Sequence, residues 1–155
     1  MTDDKQNIQD NFLGAWRLIS YESLDAAGNT TYPFGRHVNG LLMYDGSGMM
    51  SVQIIRGDRP DFPTEDMFRA DPDMLKAAFE GLNTYFGTFE IDASRNIVTH
   101  HLQGASLPNR TGSQQIREYE FCGNRLSLRT PSRLMDGKML TGLLVWEKIE
   151  QKDNK

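Results

Sequence analysis

Two adjacent histidines, His100 and His101, stand within the β-prone run Ile97 to Gln103. Neighbouring side chains of a strand point to opposite faces, so only one of the two can reach an interior lumen. Val98 and Leu102 share the face of His100, which favours His100 as the inward residue. A pocket histidine would serve as a general acid or base near neutral pH, acting on an enolisable or phenolic ligand. The alternative is a histidine that only hydrogen-bonds to a side chain of a neighbouring strand.

Charge indicates which face of the run Ser113 to Phe121 points inward. Glu118 and Glu120 share one face, and two carboxylates on one face belong in water. The opposite face therefore points into the interior. Its residues are Gln115, Arg117 and Tyr119.

An inward Arg117 needs a partner, because leaving a buried charge unpaired costs several kcal/mol. One interpretation is that its forked donors hold a carboxylate, phenolate or carbonyl of a ligand. The other is a structural pair with Asp45, Glu22 or a backbone carbonyl. Both interpretations stay open at this point.

The same charge test turns apolar and aromatic side chains of the other runs inward, since Glu90, Arg125, Arg129 and Glu147 belong outside. Such a lining, with few polar groups, is typical of a small-molecule site. The sequence predicts as catalytic residues His100, Arg117 and Tyr119. It predicts as ligand-binding residues Tyr44, Tyr85, Phe89, Gln115, Leu128, Leu144 and Trp146.

Eight β-prone runs, separated by turn residues, must position these side chains. The runs belong to one predicted domain over residues 1–155, which begins with a polar leader 1–12 and ends with a polar tail 150–155. Eight antiparallel strands in meander order predict an all-β, closed up-and-down barrel, since closure removes exposed edges. Such a barrel is either filled by its side chains or holds one small ligand. The runs are Leu13 to Glu22, Gly40 to Tyr44, Met49 to Ile55, Thr84 to Ile91, Ile97 to Gln103, Ser113 to Phe121, Arg125 to Thr130 and Met139 to Ile149.

One short helix interrupts the strands. Asp71 is a plausible N-cap, Pro72 suits the first turn, and apolar residues up to Leu82 follow at helical spacing. Residues 56–71 before it are rich in charge and proline, and we expect an irregular crossing there. The apolar stripe predicts a helix that covers one open end of the sheet.

Composition and charge exclude several function classes. The net charge is −4, the basic residues are scattered, and no electrostatic footprint for nucleic acid exists. The first dozen residues do not resemble a secretory signal, and no stretch approaches the ~20 apolar residues of a membrane span. The only cysteine, Cys122, cannot form an internal disulfide. We expect a cytoplasmic monomer or homodimer with no membrane or nucleic-acid partner.

Metal and cofactor sites are not expected. His100 and His101 diverge on their strand and cannot bind one interior ion together, and His37 is a lone loop histidine. The sequence also has no phosphate-binding glycine loop after a strand and no nucleophile elbow.

Short blocks in a fixed order cover almost the whole chain. They are Gly14-Ala15-Trp16, Gly40 to Tyr44 with Gly48-Met49, Asp58-Arg59-Pro60, Tyr85 to Phe89, Val98 to His101, Pro108-Asn109, Gln115-Ile116-Arg117 and Leu144 to Glu147. In these blocks the sequence resembles the bacterial and fungal lipocalin-like domain family. The resemblance implies the barrel fold and a place beside enzymes of secondary metabolism or xenobiotic breakdown, but no single activity. Two positions depart from the family pattern: Arg110 replaces a frequent aromatic residue and Lys148 a frequent arginine.

Two functional hypotheses follow. In the first, the protein is a cofactor-free isomerase, cyclase or lyase in which His100, with Tyr119 or Tyr85, moves protons and Arg117 stabilises an oxyanion. In the second, it is a carrier or sequestering protein for a small, mostly apolar or aromatic molecule. A separate structural prediction places Trp16 at the closed end of the barrel, near the last strand, as a plug.

Overall fold

Antiparallel strands make up most of this chain, for which a computed structural model describes residues 2–150, with side-chain surroundings from residue 6 onward. Single 3₁₀ turns occur at Met67–Arg69 and Pro108–Arg110. The helices and strands, in chain order, are α1 (Thr2–Phe12), β1 (Gly14–Leu24), β2 (Thr30–Thr31), β3 (Val38–Tyr44), β4 (Met49–Arg56), α2 (Pro72–Glu80), β5 (Leu82–Asp92), β6 (Ile97–Ala105), β7 (Gln114–Cys122), β8 (Arg125–Arg129), β9 (Arg133–Met135) and β10 (Lys138–Lys148).

The long strands close into an eight-stranded antiparallel barrel. Their order is β1-β3-β4-β5-β6-β7-β8-β10, and β10 pairs back onto β1, where Trp16 lies opposite Lys148 and Leu24 opposite Thr141. The short strands β2 and β9 only extend β1 and β10. The predicted all-β, up-and-down barrel is confirmed.

A β-bulge in the first strand changes one predicted face. Strict alternation along β1 predicts that Tyr21 points outward with Arg17 and Ile19. The register of β1 against β10 shifts between Leu18 and Ser20, so that Tyr21 turns inward and is only 6% exposed. The outward placement of Tyr21 was therefore wrong, because an extra residue inverts the two-residue period beyond it.

The leader of residues 1–12 forms α1, and its last residue enters the core. Phe12 is fully buried, and its ring lies 4.9 Å from those of Tyr119 and Phe121 and 5.3 Å from that of Tyr44, edge to face in each case. The Trp16 indole N–H donates to the Phe12 carbonyl at 2.9 Å. The leader is therefore a helix that closes one end of the barrel, rather than only a polar segment crossing it. Trp16 lies at that end, as predicted.

The predicted short helix is confirmed as α2. The Asp71 carboxylate caps it by accepting from the Asp73 backbone N–H at 2.8 Å, and Pro72 occupies the first turn. The crossing before it is irregular apart from the turn at Met67–Arg69. Neither described α-helix has the length and apolar run that a bilayer crossing needs. Residues 151–155 of the predicted polar tail lie outside the described residues.

Candidate functional site

A cavity lies inside the barrel, toward the end opposite α1. Its volume is about 30 Å³. Since one water needs roughly 10–15 Å³, the cavity is narrow and has room for only a few waters with the side chains in these positions. Its walls are formed by Tyr21, Leu42, Val52, Ile54, Asn83, Tyr85, His100, Arg117, Leu128, Thr130, Arg133, Leu144 and Trp146.

Six of the predicted site residues line this cavity, and the others lie below or beside it. The six are Tyr85, His100, Arg117, Leu128, Leu144 and Trp146. Tyr44 is buried one layer deeper, and the Phe89 ring packs on it at 4.7 Å between centroids. Gln115 lies next to Arg117, whereas Tyr119 lies outside the cavity, against Phe12 at the closed end.

Several wall residues were missed by sequence reasoning. Tyr21 was missed because of the bulge in β1. Arg133 was missed because residues 131–138 were interpreted only as a connection. The Asp136-Gly137 pair was the available signal, since this dipeptide favours a tight hairpin whose flanks are strands. In the structure that hairpin joins β9 to β10, with Arg133 opposite Leu140.

A chain of three hydrogen-bonded side chains runs from the core to the cavity wall. The Tyr44 hydroxyl lies 2.7 Å from Nε2 of His100, and the Tyr85 hydroxyl lies 2.8 Å from Nδ1. His100 is 1% exposed, whereas His101 points outward and contacts Glu90 at 2.8 Å. The predicted inward orientation of His100 is confirmed. Both of its ring nitrogens are engaged by tyrosines.

The surroundings keep this chain uncharged near neutral pH. Burial, together with the positive charge of Arg117, lowers the pKa of His100 to about 3. Burial also raises the pKa of Tyr44 well above its usual value. It raises the pKa of Tyr85 too, although the positive charge of Arg117 opposes that change. Near neutral pH the chain therefore consists of two neutral tyrosine hydroxyls with one neutral imidazole between them.

Hydrogen-bond satisfaction fixes the direction of the chain. The buried Tyr44 hydroxyl has no partner among the described residues besides His100, so its proton must point to Nε2. A neutral imidazole that accepts at Nε2 carries its proton at Nδ1 and donates it to Tyr85. The Tyr85 hydroxyl then keeps its own proton free, and Tyr85 is the member of the chain with its hydroxyl at the cavity wall. The arrangement presents a proton donor to the cavity.

Arg117 lines the cavity and has no carboxylate partner among residues 6–150. It is 8% exposed, and its guanidinium donates to the Ile116 carbonyl at 2.8 Å and to Oε1 of Gln115 at 3.3 Å. Of the structural partners that the sequence suggested for Arg117, the structure therefore shows a backbone carbonyl. Asp45 instead accepts hydrogen bonds within its own hairpin turn. These neutral acceptors satisfy some donors of Arg117 but leave its charge unbalanced.

A lysine at the closed end, outside the cavity, packs over the Trp16 ring. The Lys148 ammonium lies 4.7 Å from the centroid of the Trp16 ring and also donates to the Leu13 carbonyl. Lysine thus occupies the cation position over the indole in place of the frequent arginine. Among the described residues no three His, Cys, Asp or Glu side chains come together as metal ligands.

Comparison with known proteins agrees with this architecture. The family model of the lipocalin-like domain matches residues 13–149, which span the barrel from β1 to β10. No curated protein was found to match the chain. A lipocalin-like barrel supports the binding of a small molecule in general. Since the match covers most of its length, the chain belongs to the lipocalin-like domain family.

Proposed function

We propose that the barrel binds a small, flat, mostly apolar or aromatic molecule beside Tyr85 and moves a proton on it without a cofactor, as an isomerase, cyclase or lyase does. The observation that supports this most is the Tyr44–His100–Tyr85 chain, which directs a hydroxyl proton toward the cavity. Its side chains are buried and held by hydrogen bonds, so the donor is preorganised.

The step that we propose is proton transfer through Tyr85. Tyr85 gives its proton to an oxygen or carbon of the ligand and becomes a phenolate. The Nδ1–H of His100 donates to this phenolate, and the charge of Arg117 stabilises it. Tyr85 then takes a proton back from a second position of the ligand. The protein returns to its initial state, so this tautomerisation needs no oxidant, reductant or co-reactant.

Arg117 has a second role in this proposal. An enolisable ligand develops negative charge on oxygen as its proton moves, and a fixed guanidinium stabilises that charge best where water is scarce. Leu128, Leu144 and Trp146 form the apolar part of the wall. Tyr119 has no part in this step, because it packs against Phe12 away from the cavity.

A non-catalytic carrier is the second candidate, and one observation favours it. A general base works best with a pKa near the operating pH, whereas the pKa of His100 is lowered to about 3. An imidazole held neutral between two tyrosines also suits a static lining that only positions a ligand. The carrier hypothesis predicts binding without turnover.

The test compares turnover and binding of the same compound. Phenylpyruvate, a flat aromatic keto acid whose enol absorbs ultraviolet light, is offered to the wild type, to Tyr85→Phe and to Tyr32→Phe, which removes a hydroxyl from a residue that does not line the cavity. We expect Tyr85→Phe to lower the tautomerisation rate about 10²- to 10⁴-fold, the usual contribution of a general acid, and Tyr32→Phe to leave it unchanged. Equal rates in all three would exclude catalysis by Tyr85. Micromolar binding without turnover in the wild type would favour the carrier.

A further inference from the structure

Positive charge gathers around the Tyr85 hydroxyl. Arg117 of β7 and Arg133 of β9 both line the cavity beside it. Arg110, in the 3₁₀ turn after β6, lies near enough that, besides burial, the charges of Arg133 and Arg117 lower its pKa. Three different elements thus bring three guanidinium groups to one part of the barrel.

Among residues 6–150, no carboxylate lies within ion-pair distance of this arginine cluster, defined as Arg110, Arg117 and Arg133. Four arginines elsewhere in the described chain form ion pairs within 4 Å, among them Arg56 with Asp58 and Arg125 with Glu147, but no member of the cluster does so. The surroundings of Tyr85 agree with this: burial raises its pKa, whereas the charges of the three arginines and a hydrogen bond from Arg117 lower it. Like charges are thus brought together here, and no carboxylate of residues 6–150 offsets them.

A further donor without an acceptor lies in the same cavity. Trp146 is 1% exposed, its indole lines the wall, and its Nε1–H has no hydrogen-bond partner among the described residues. A buried N–H that stays unsatisfied is unfavourable, and such groups in native proteins call for an explanation. An acceptor atom of a bound molecule would satisfy it.

We propose that the ligand is a flat organic anion, an aromatic or conjugated carboxylate, whose charged group binds Arg117 and Arg133 and whose second oxygen accepts from Trp146. The inference rests on the proposed function in that it names the ligand class of the same cavity. Charge and donor inventory lead to the carboxylate. The cluster supplies forked donors that match a carboxylate, and the indole supplies one donor more. Leu128, Leu144 and Trp146 supply apolar wall for the aromatic or conjugated body.

A matched pair of ligands tests the charge directly. 2-Naphthoate and 2-naphthamide have the same ring and nearly the same shape, but only the first is an anion. Their dissociation constants are measured by isothermal titration calorimetry on the wild type, on Arg133→Gln, on Arg117→Gln and on Arg129→Gln. Arg129 is the control, because it is an exposed arginine of β8. Arg129→Gln removes the same charge outside the cavity.

We expect the wild type to bind 2-naphthoate about 10- to 100-fold more tightly than 2-naphthamide, the range for hydrogen bonds to a charged group. Arg133→Gln should lose most of this preference, and Arg129→Gln should keep it. Equal affinities for both compounds in the wild type would overturn the anion proposal and leave binding in the barrel standing. Binding of neither compound would overturn both proposals. A preference that survives Arg133→Gln but disappears in Arg117→Gln would assign the anion to Arg117 alone and refute the role of Arg133.

Discussion

As the pH falls, this barrel should begin to lose stability at a higher pH than protonation of its carboxylates alone would produce. The reason is that His100 is buried in its neutral form. In the unfolded chain the imidazole takes a proton near pH 6.5, whereas the folded state resists protonation until about pH 3. Between these values the unfolded state binds more protons than the folded state. The free energy of unfolding is therefore complete above about pH 6.5 and falls as the pH falls toward 3.

The magnitude follows from the difference in pKa. Each pH unit within the window lowers the free energy of unfolding by about 1.4 kcal/mol, so the loss reaches about 2 kcal/mol by pH 5. That is a large part of the roughly 5–15 kcal/mol by which a native domain is stable. Hydrogen bonds lower the pKa of several carboxylates, among them Asp45 and Asp92. The stability that these carboxylates contribute is lost only as the pH falls below their usual pKa of 3.8. They act at lower pH than the window in which His100 is tested.

Urea unfolding of the wild type and of His100→Gln, from about pH 7.5 to about pH 4.5, isolates the effect. Glutamine keeps a neutral donor and acceptor but takes up no proton in this range. We expect the stability of the wild type to fall below pH 6.5 and that of His100→Gln to stay nearly level, even if the variant is less stable throughout. A wild-type stability that stays constant down to pH 5, or an equal decline in both proteins, would refute the burial of a neutral imidazole.

Three further predictions concern the two ends of the barrel. Trp16→Ala and Phe12→Ala should each lower the free energy of unfolding by roughly 3–5 kcal/mol in urea titrations, because each removes a fully packed aromatic ring at the closed end. Phe68→Ala, whose side chain is 91% exposed, is the control and should change stability by less than about 0.5 kcal/mol. Trp146→Ala should weaken 2-naphthoate binding at least about tenfold in calorimetry, since it removes both a wall of the cavity and a donor. A loss below about 1 kcal/mol for Trp16→Ala would show that its indole is not packed.

Strand alternation predicted much of the fold because both barrel faces follow one physical rule. Carboxylates stay in water, so Glu118 and Glu120 determine the direction of Arg117 without any knowledge of neighbouring strands. The apolar neighbours Val98 and Leu102 separated His100 from His101 in the same way. These predictions needed only the two-residue period of a strand.

The remaining features depend on contacts distant in sequence. The bulge in β1 arises in its pairing with β10, and no local signal in the first strand marks it, so Tyr21 was placed on the wrong face. Phe12 looked like the end of a polar leader because its partners, Tyr44 and Phe121, lie far along the chain. The partners of His100 are also distant, since Tyr44 is 56 residues away. Loop geometry and cross-barrel pairing, rather than composition, determine these positions.

The two tryptophans of this chain allow the most direct test of a ligand site inside the barrel. Trp146 lines the cavity, whereas the indole N–H of Trp16 is hydrogen-bonded to Phe12 at the closed end. In a proton–nitrogen correlation spectrum, titration with 2-naphthoate should shift the indole resonance of Trp146 and leave that of Trp16 nearly unchanged. An unmoved Trp146 resonance, or equal shifts of both, would contradict a binding site in this cavity.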